Sequence, residues 1–349
     1  MPAATPPPVA VIGAGAIGRT HANLMRGGEI CRLSAIADPT RAGREFARSL
    51  GVRCFADHLA LIAAGPPQAA IIATPNDTHV PLARDFIRHG IPVLVEKPIA
   101  SDLAEAEALC EQAERAQVAL MVGHHRRHNP IIRAAREAIA SGRIGRLTMG
   151  AVLATFLKPR SYFDLRWHRE PGGGPVLINL IHEIDLIRFI GGEIVSVQAA
   201  TSNARRHFPV EDSAAVILSL EAGALITVSL SDTVASPWSW DLSAGENPAW
   251  PKLPHAVATH FFCGTEGALS LPGLELWEYG DQPGWMAPIA CRPLAVAPAN
   301  PYLEQLKHLV RVIDGKEAPL SSGADATRTL AATLAVHQAA RTQRIITLS

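Results

Sequence analysis

Residues 9–18 read VAVIGAGAIG, and residues 33–40 read LSAIADPT. The first stretch is a short apolar run followed by three glycines with the spacing G-x-G-x-x-G. The second is another apolar run, which ends at Asp38 about twenty positions further on. Strand, glycine turn, helix and strand in that order are typical of a unit that binds a dinucleotide. The two stretches therefore predict a doubly wound α/β domain with a bound nicotinamide cofactor.

The glycines have separate predicted roles. Gly13 allows the tight turn, Gly15 lets the backbone approach a pyrophosphate, and Gly18 lets the following helix pack close to the strand. The amide groups and the positive dipole end of that helix then face the phosphates. We expect the cofactor to contact the whole turn, which consists of Gly13, Ala14, Gly15, Ala16, Ile17 and Gly18.

Asp38 decides between the two forms of the cofactor. Its carboxylate is placed to accept hydrogen bonds from both ribose hydroxyls, whereas a 2′-phosphate would meet negative charge. The sequence therefore favours NAD. NADP remains the alternative, because Arg41 lies nearby in the sequence and can reach a phosphate.

The composition limits the class of protein. A chain of 349 residues is about the length of two domains. Apolar residues make up 48% and charged residues 18%, so a substantial core can form. Basic and acidic residues balance at 32 each, which argues against nucleic acid or an anionic membrane surface as the partner. No apolar run approaches the roughly 20 residues of a membrane span.

The cysteines and the first residues indicate the compartment. The five cysteines are scattered and form no CxxC pair, which fits reduced thiols in a cytoplasmic protein. Residues 1–8 lack the basic region and apolar core of a signal peptide. Their prolines predict a loose tail before the first strand.

Strand-like and helix-like segments alternate over the first part of the chain. The helical segment 78–89 stops at Gly90, and the segment 102–116 opens with the capping-box pair Asp102 and Glu105. The strands are short, apolar throughout and bounded by breakers, as in a parallel sheet covered on both faces. They are predicted at residues 9–12, 33–37, 69–73, 93–95 and 120–122.

The pattern changes after residue 145 or so, where longer β-type stretches follow one another. They predict an antiparallel sheet with strands at 148–156, 195–203, 214–220, 225–231, 260–263 and 268–271. Residues 236–254, rich in Trp, Pro and Ser, are predicted to form a long loop, and helices are predicted near 302–314 and 325–341.

The segments together predict the domain organisation. A dinucleotide-binding Rossmann domain is predicted at residues 9–123. An α+β domain with a large, mostly antiparallel open sheet is predicted at residues 124–349, for substrate binding and oligomerisation. Its last helix is in a position to pack back on the first domain.

Two polar segments follow strands of the first domain, where ligands of such sheets bind. The segment 73–79 reads ATPNDTH and is expected beside the second ribose, besides its ordinary capping role. The segment 95–98 reads VEKP. A lysine that closes a strand at the cleft can orient a hydroxyl and share its proton.

Two further segments carry histidines. Residues 123–130 read GHHRRHNP; no Cys or carboxylate completes a metal-ligand set there, so we expect the arginines to hold hydroxyls, a carboxylate or the cofactor rather than a metal. Residues 172–185 read GGGPVLINLIHEID, a glycine run followed by a helix. The glycines indicate close backbone approach or a mobile loop. His182 on that helix is either a hydrogen-bonded core residue or a catalyst.

These motifs together resemble the glucose–fructose oxidoreductase, inositol dehydrogenase and rhizopine catabolism family (Gfo/Idh/MocA). The matching marks run in the family's order from residue 9 to residue 185: GAGAIG, ADP, ATPNDTH, EKP, GHHRRHNP and GGG…HEID. The later, strand-rich part fits the family's substrate domain without a motif of its own. The resemblance implies an NAD(P)-dependent oxidoreductase that acts on sugars, polyols and their derivatives.

The resemblance also assigns roles. It makes Lys97 and His182 the catalytic pair, with His182 removing the hydroxyl proton and Lys97 hydrogen-bonding the alcohol oxygen. Members often carry an aspartate four residues before that histidine, but Ile178 stands here. Asn179 is expected to substitute as a hydrogen-bond donor. The remaining expected cofactor contacts are Thr74, Pro75, Asn76, His79, Glu96 and Lys97.

Substrate contacts are expected from residues at the cleft: Lys97, His125, Arg127, Asn129, Trp167, His168, Asn179 and His182. We expect hydride transfer between NAD and a secondary alcohol or ketone. Three alternatives remain: cyclic use of NAD to cleave glycosides, a non-catalytic NAD-binding regulator, and other NAD(P) chemistry such as imine or biliverdin-type reduction. The open sheet predicts a homodimer or homotetramer.

Overall fold

The computed structural model describes residues 5–247 and 250–348, which form two compact units. The first unit contains the residues up to His128 and the segment Asn300–Leu330. The second contains Asn129–Ala299 and the residues from Ala331 onward. Of the predicted tail, residues 1–4 lie outside the described residues, residues 5–7 have no regular structure, and the first strand begins at Pro8.

The strands of the two units are, in chain order, β1 Pro8–Ile12, β2 Arg32–Ala37, β3 Arg53–Phe55, β4 Ala69–Ile72, β5 Val93–Val95, β6 Leu120–Val122, β7 Leu147–Thr155, β8 Ile194–Ser202, β9 Ser213–Leu220, β10 Leu225–Ser231, β11 His260–Gly264, β12 Gly267–Leu271, β13 Glu275–Tyr279, β14 Ile289–Pro293 and β15 Ile346–Thr347.

The helices are α1 Ala16–Leu24, α2 Arg41–Ser49, α3 His58–Ala64, α4 His79–Arg88, α5 Leu103–Ala116, α6 Pro130–Ala140, α7 Ile181–Gly191, α8 Trp240–Ala244, α9 Pro301–Ile313 and α10 Gly323–Thr342. Within residues 5–247 and 250–348, no helix combines the length and the apolarity that a membrane crossing requires.

The first unit contains a six-stranded parallel sheet with the order β3-β2-β1-β4-β5-β6. Strands β4, β5 and β6 are buried along their whole length, because their residues are apolar on both faces. The strand order reverses next to β1, and ligands of such sheets bind outside the carboxyl ends of the strands at that point. This topology confirms the predicted Rossmann sheet.

Local signals determine where two helices of this unit begin and end. The side chain of Asp102 accepts a hydrogen bond from the backbone N–H of Glu105 at 2.9 Å, so the predicted cap of α5 is confirmed. Gly90 follows α4 with a φ of +71°, a conformation that glycine adopts without strain.

Helix α9 belongs to the first unit although it follows the second sheet in the sequence. Its apolar side chains Leu306, Leu309 and Val312 are buried in one cluster with residues of the parallel sheet such as Val9. The backbone N–H of Val122 also bonds the carbonyl of Ser321 at 2.9 Å. The chain therefore returns to complete the core of its first unit.

The second unit contains a nine-stranded sheet with the order β14-β13-β12-β11-β7-β10-β9-β8-β15. Its neighbouring strands are antiparallel except for β7 and β10, which run parallel with Thr155 opposite Ser231. The predicted mostly antiparallel sheet is confirmed. The parallel pair brings the carboxyl ends of β7 and β10 to one edge, where the chain continues into Leu157 and Thr233.

The core of the second unit lies on one face of that sheet. Side chains of α6, α7 and the end of α10, among them Ile132, Ile187 and Val336, pack with inward strand residues such as Val228 and Phe262. The strands alternate between buried and exposed positions, as the burial pattern of β10 illustrates.

The prediction of a long loop at residues 236–254 needs a correction. Within it, α8 forms a short helix and buries the Trp240 side chain to 1% exposure. The nearby Trp238 remains 45% exposed. The local cause is burial of a large aromatic side chain in the core of the second unit, where it packs edge-on against the ring of His260 at 5.5 Å.

Candidate functional site

The glycine turn after β1 is shaped by close backbone contacts. Gly13 has a φ of +91°, and a Cβ placed on it would lie 2.4 Å from the carbonyl oxygen of Ala73. A Cβ on Gly18 would lie 2.0 Å from the carbonyl oxygen of Gly13. Gly15 has no heavy atom within 4 Å of its Cβ position, so its backbone faces open space. The turn therefore exposes bare backbone at the start of α1.

Asp38 is tied to this turn by a network of hydrogen bonds. The N–H of Ala14 donates to its Oδ2 at 2.7 Å, and the N–H and hydroxyl of Thr40 donate to its Oδ1 at 2.8 Å and 2.5 Å. Burial alone raises the pKa of Asp38, but these hydrogen bonds outweigh it and hold the pKa below its usual value. The residue is therefore a fixed carboxylate beside the turn.

A cavity of about 810 Å³ opens over the turn. Its size lies in the range of ligand sites, which run from roughly 300 to 1,000 Å³. The predicted cofactor contacts that line it are Gly13, Ala14, Gly15, Ala16, Ile17, Asp38, Thr74 and Pro75. Sequence reasoning missed other lining residues, including Thr40, His58 and Asp85. Nε2 of His58 lies 2.9 Å from Oδ2 of Asp85.

His79, a predicted cofactor contact, joins two loops. It is 1% exposed, and its ring nitrogens lie 2.8 Å from the carbonyl oxygen of Pro98 and 2.9 Å from that of Thr74. Burial lowers its pKa, which favours the neutral ring. The loop that contains Asn76 is therefore tied to the turn that carries Lys97.

Glu96, the residue directly before Lys97, is buried. Its Oε1 lies 2.7 Å from Nε2 of His21 on α1, and a Cβ on Gly123 would lie 2.8 Å from its Oε2. Burial raises the pKa of Glu96, but the hydrogen bond and charge of His21 outweigh this and lower it overall. The glycine after β6 thus leaves room for the carboxylate of Glu96, a contact that no local pattern predicts.

The loop after β6 is buried rather than open. The ring of His125 stacks on Tyr302 with centroids 4.1 Å apart. Arg127 donates to the carbonyl of Leu320 at 3.1 Å and forms an ion pair with Asp325. Within the first unit, these predicted substrate contacts therefore hold the segment Asn300–Leu330 in place.

Three predicted substrate contacts belong to the second unit and have partners there. Asn129 caps α6 by accepting from the N–H of Ile131 at 2.9 Å, and its amide donates to Glu246 at 2.7 Å. The ring of His168 stacks on Tyr162 with centroids 3.7 Å apart. Trp167 is 47% exposed.

The helix that carries His182 opens with a π-helical turn at Val176–Leu180 and continues as α7. Most of its residues are buried, but Ile178, Asn179 and His182 are partly exposed. A π-turn changes the angular spacing of side chains, and such turns are frequent at functional sites. Ile178 lies at the position of the family's usual aspartate, so the acidic partner is absent from this helix position.

Two glycines of the run before this helix lie so close to neighbouring atoms that a side chain has no room. A Cβ on Gly173 would lie 2.1 Å from the carbonyl oxygen of Trp167, and one on Gly174 would lie 2.3 Å from Oε1 of Glu211. The same Glu211 oxygen accepts from the N–H of Val176 at 2.9 Å. Glu211 therefore accepts a hydrogen bond from a free N–H group at the start of the helix, where a negative charge is also favourable for the helix dipole.

Asn179 contacts a charged cluster that sequence reasoning missed. Its Oδ1 accepts from Nζ of Lys158 at 2.9 Å, and the same ammonium lies 3.1 Å from Oδ2 of Asp232. Asp232 also forms an ion pair with Arg206. Lys158 and Asp232 follow β7 and β10, so the parallel pairing of these strands brings them together. Nothing local in the sequence indicates that pairing.

A second buried pair supports α7. Nε2 of His260 lies 2.8 Å from Oε2 of Glu183, and the hydroxyl of Thr259 lies 2.9 Å from Nδ1 of the same ring. Both side chains of the pair are at most 5% exposed. This pair links the helix turn that contains His182 to strand β11.

Two family models match the chain. Residues 8–124 match the model described as the oxidoreductase family with an NAD-binding Rossmann fold. Residues 132–249 match the GFO/IDH/MocA C-terminal domain. The chain belongs to the GFO/IDH/MocA family. Its first unit is thus an NAD-binding Rossmann domain, as predicted from the glycine turn.

Two relatives of similar sequence support this membership. The chain is 31% identical over 193 residues to the rhizopine catabolism protein MocA of Rhizobium meliloti, which covers 55% of this chain and 60% of that protein. It is 35% identical over 196 residues to an inositol 2-dehydrogenase of Rhizobium meliloti (strain 1021), over 55% of this chain and 57% of that protein. The chain therefore spans about three fifths of the length of these two relatives.

A solved structure resembles the chain over nearly its full length. It is an oxidoreductase from Agrobacterium radiobacter in complex with NAD+, L-tartaric acid and magnesium. The TM-score is 0.81, the identity is 23%, and the match covers 98% of each chain. This likeness shows the fold.

Proposed function

We propose that the protein is an NAD-dependent dehydrogenase or reductase that moves a hydride between the nicotinamide and a secondary alcohol or ketone carbon of a sugar or cyclic polyol. The observation that carries the proposal is the glycine turn held by Asp38 beneath a cavity of about 810 Å³. The names of the relatives, an inositol 2-dehydrogenase and a rhizopine catabolism protein, support the substrate class.

The residues at this cavity fit the cofactor. The turn from Gly13 to Gly18 suits a pyrophosphate, because Gly15 has no side chain to fill the open space beside its backbone, where the phosphates can approach. Asp38 has one lone pair left, on Oδ2, for a ribose hydroxyl, and its charge repels a 2′-phosphate. When bound, NAD supplies the hydride acceptor.

The protein contributes proton transfer and positioning. His182 removes the hydroxyl proton of the substrate, because an imidazole is suited to this role near neutral pH. Lys97 donates a hydrogen bond to the substrate oxygen and stabilises its developing negative charge. Asn179 is a hydrogen-bond donor to the substrate, since Lys158 occupies its carbonyl oxygen and leaves its amide N–H groups to point elsewhere.

The test compares turnover with cofactor binding. NADH formation is screened across inositols, aldoses, anhydrosugars and sugar acids, with NAD and NADP in parallel. His182→Ala should abolish turnover of the best substrate while calorimetry still detects NAD binding. His255→Ala, an exposed histidine of the same unit, is the matched control and should retain full activity. Near-normal turnover in His182→Ala would refute the assigned base.

Self-association is the second part of the proposal. Several large apolar side chains are exposed on the strands of the second sheet, and register places Leu225 opposite Met149 and Ile217 opposite Thr227. Phe261, which is 36% exposed, lies on the neighbouring strand β11, which pairs with β7. A second copy of the chain would cover this patch and form a homodimer or homotetramer. Light scattering of Ile217→Lys should detect a smaller species than the wild type.

The compartment completes the proposal. All five cysteines are free thiols, which fits the reducing conditions of the cytoplasm. Fractionation of cells that produce the tagged protein tests this, and recovery outside the cytoplasm would overturn it.

A further inference from the structure

The second unit contains a cavity with an unusual charge. Its volume is about 440 Å³, in the range of small-molecule sites. Five cationic side chains line it, together with a single carboxylate. The chain as a whole has a formal net charge of zero, so this concentration of positive charge is local. The charged lining residues are Lys158, Arg160, Asp164, Arg169, Arg205 and Arg206.

Two of the cations share one buried acid. The side chains of Lys158 and Arg206 are 8% and 15% exposed, and both pair with Asp232, which is 1% exposed. Because one carboxylate pairs with two cations, the group of three side chains has a net positive charge. A partly buried charge lowers the stability of the fold unless an opposite charge compensates it. Burial lowers the pKa of Lys158 in spite of Asp232, which reflects the same cost.

Two further acids lie near this cluster. Asp212 accepts the backbone N–H groups of Arg205 and Arg206 at 3.0 Å and 2.9 Å. Glu211 caps the π-helical turn, lies 3.2 Å from Nε2 of His337, and its charge favours the protonated form of Lys158. Neither acid lines the cavity itself, whose lining contains five cations and one carboxylate.

The three exposed arginines of the cavity are available to a ligand. Arg160, Arg169 and Arg205 are exposed and line the cavity, and none of them has an ion-pair partner among the residues that the structure describes. The guanidinium of Arg206 is held over the ring of Phe163 at 4.1 Å, which limits its freedom. Guanidinium groups bind carboxylates and phosphates through paired hydrogen bonds.

The cavity is also connected to the proposed reaction site. Lys158 lines the cavity and donates to Asn179, which shares the partly exposed strip of its helix with His182. A molecule whose charged end occupies the cavity is thereby next to the helix that carries the proposed base. The contacts all lie within the second unit.

We propose that this cavity binds an anionic group of the substrate, a carboxylate or a phosphate, so that the enzyme acts on an acidic sugar or polyol derivative rather than on the neutral parent. This inference rests on the proposed function for its reaction. The binding of the anion itself does not depend on turnover.

The experiment compares matched acidic and neutral ligands. D-Glucuronate, D-glucose 6-phosphate and D-glucose are the probes, and the two acids separate a carboxylate site from a phosphate site. The variant is Arg169→Glu combined with Arg205→Glu, both at exposed positions. Arg344→Glu, exposed in the same unit and outside the cavity, is the control for general charge. Binding is measured by calorimetry in the presence of NAD, and kcat/KM by NADH formation.

We expect an acidic probe to bind the wild type and the control more tightly than glucose does. Because a hydrogen bond to a charged group is strong, the double variant should lose roughly tenfold or more of that affinity, while its affinity for glucose stays unchanged. Added salt should weaken only the acidic ligand. Equal affinity for acidic and neutral probes, or equal loss in the control, overturns the anion site. Anion binding that the double variant loses, with no turnover of any compound in the substrate screen described above, leaves the anion site standing and refutes the proposed reaction.

Discussion

Replacing Asp38 by Asn tests the cofactor site most directly. The substitution keeps the shape of the side chain but removes its negative charge and turns one oxygen into an amide donor. The amide then faces either the N–H of Ala14, now 2.7 Å from Oδ2, or the two donors of Thr40 on Oδ1. In each orientation a donor meets a donor, so the glycine turn loses an anchor.

The magnitude follows from the bonds that are lost. A buried backbone N–H without its acceptor costs about 1–3 kcal/mol, and a hydrogen bond from a ribose hydroxyl to a charged acceptor is worth about 1.5–3 kcal/mol. The second effect alone corresponds to a roughly ten- to hundredfold weaker NAD affinity. NADP should lose less, because the repulsion of its 2′-phosphate disappears together with the charge.

Calorimetric titration with NAD and NADP measures both affinities. Asp102→Asn is the matched control, because it makes the same change in a helix-capping aspartate that does not line the cavity. The control should retain its stability and its NAD affinity, because Asn caps helices about as well as Asp. An Asp38→Asn protein that binds NAD within twofold of the wild type refutes the assigned role.

Three further substitutions test the surrounding structure. Gly13→Ala places a Cβ 2.4 Å from a backbone carbonyl at a φ of +91°, so a thermal melt should show a loss of more than about 1 kcal/mol and calorimetry a loss of NAD binding; an unchanged melting temperature contradicts this. The hydrogen bond and charge of His21 outweigh burial and lower the pKa of Glu96, so this carboxylate adds stability above its unfolded pKa of about 4.3 that disappears as the pH falls through the lower folded value. Glu96→Gln should flatten that acid limb in denaturant titrations, and an unaltered pH profile speaks against the linkage. His260→Ala removes the buried contact between Nε2 of this ring and Oε2 of Glu183 at 2.8 Å and should cost about 1–3 kcal/mol, read from the denaturation midpoint; His260→Gln should recover part of it, and a midpoint equal to the wild type would show that the contact contributes nothing.

The parallel sheet was largely predictable because its information is local. Continuous apolar runs between breakers gave β5 and β6 with the bounds that the structure has, and the capping residue Asp102 located the start of α5. Strand β3 escaped prediction because its three residues are partly exposed and form no apolar run. The glycine turn and Asp38 were predictable because their spacing follows from the geometry of the cofactor.

The second unit was less predictable because its contacts depend on pairing between distant segments. The alternation of apolar residues indicated strands but could not reveal that β7 and β10 run parallel. The contact of Lys158 and Asp232 follows from that pairing, so neither residue stood out in the sequence, whereas Asn179, which Lys158 contacts, was predicted from its helix. The π-helical turn also has no sequence signature, although it decides which side chains share a face with His182.

The return of the chain through Asn300–Leu330 restricts how this protein can be recombined. A chimaera made by a single cut after His128 would separate the Rossmann portion from α9 and leave the apolar surface that receives Leu306 and Leu309 open to water. Exchange of substrate specificity between relatives therefore requires replacement of Asn129–Ala299 together with the residues from Ala331 onward, with the first portion and Asn300–Leu330 kept from one parent.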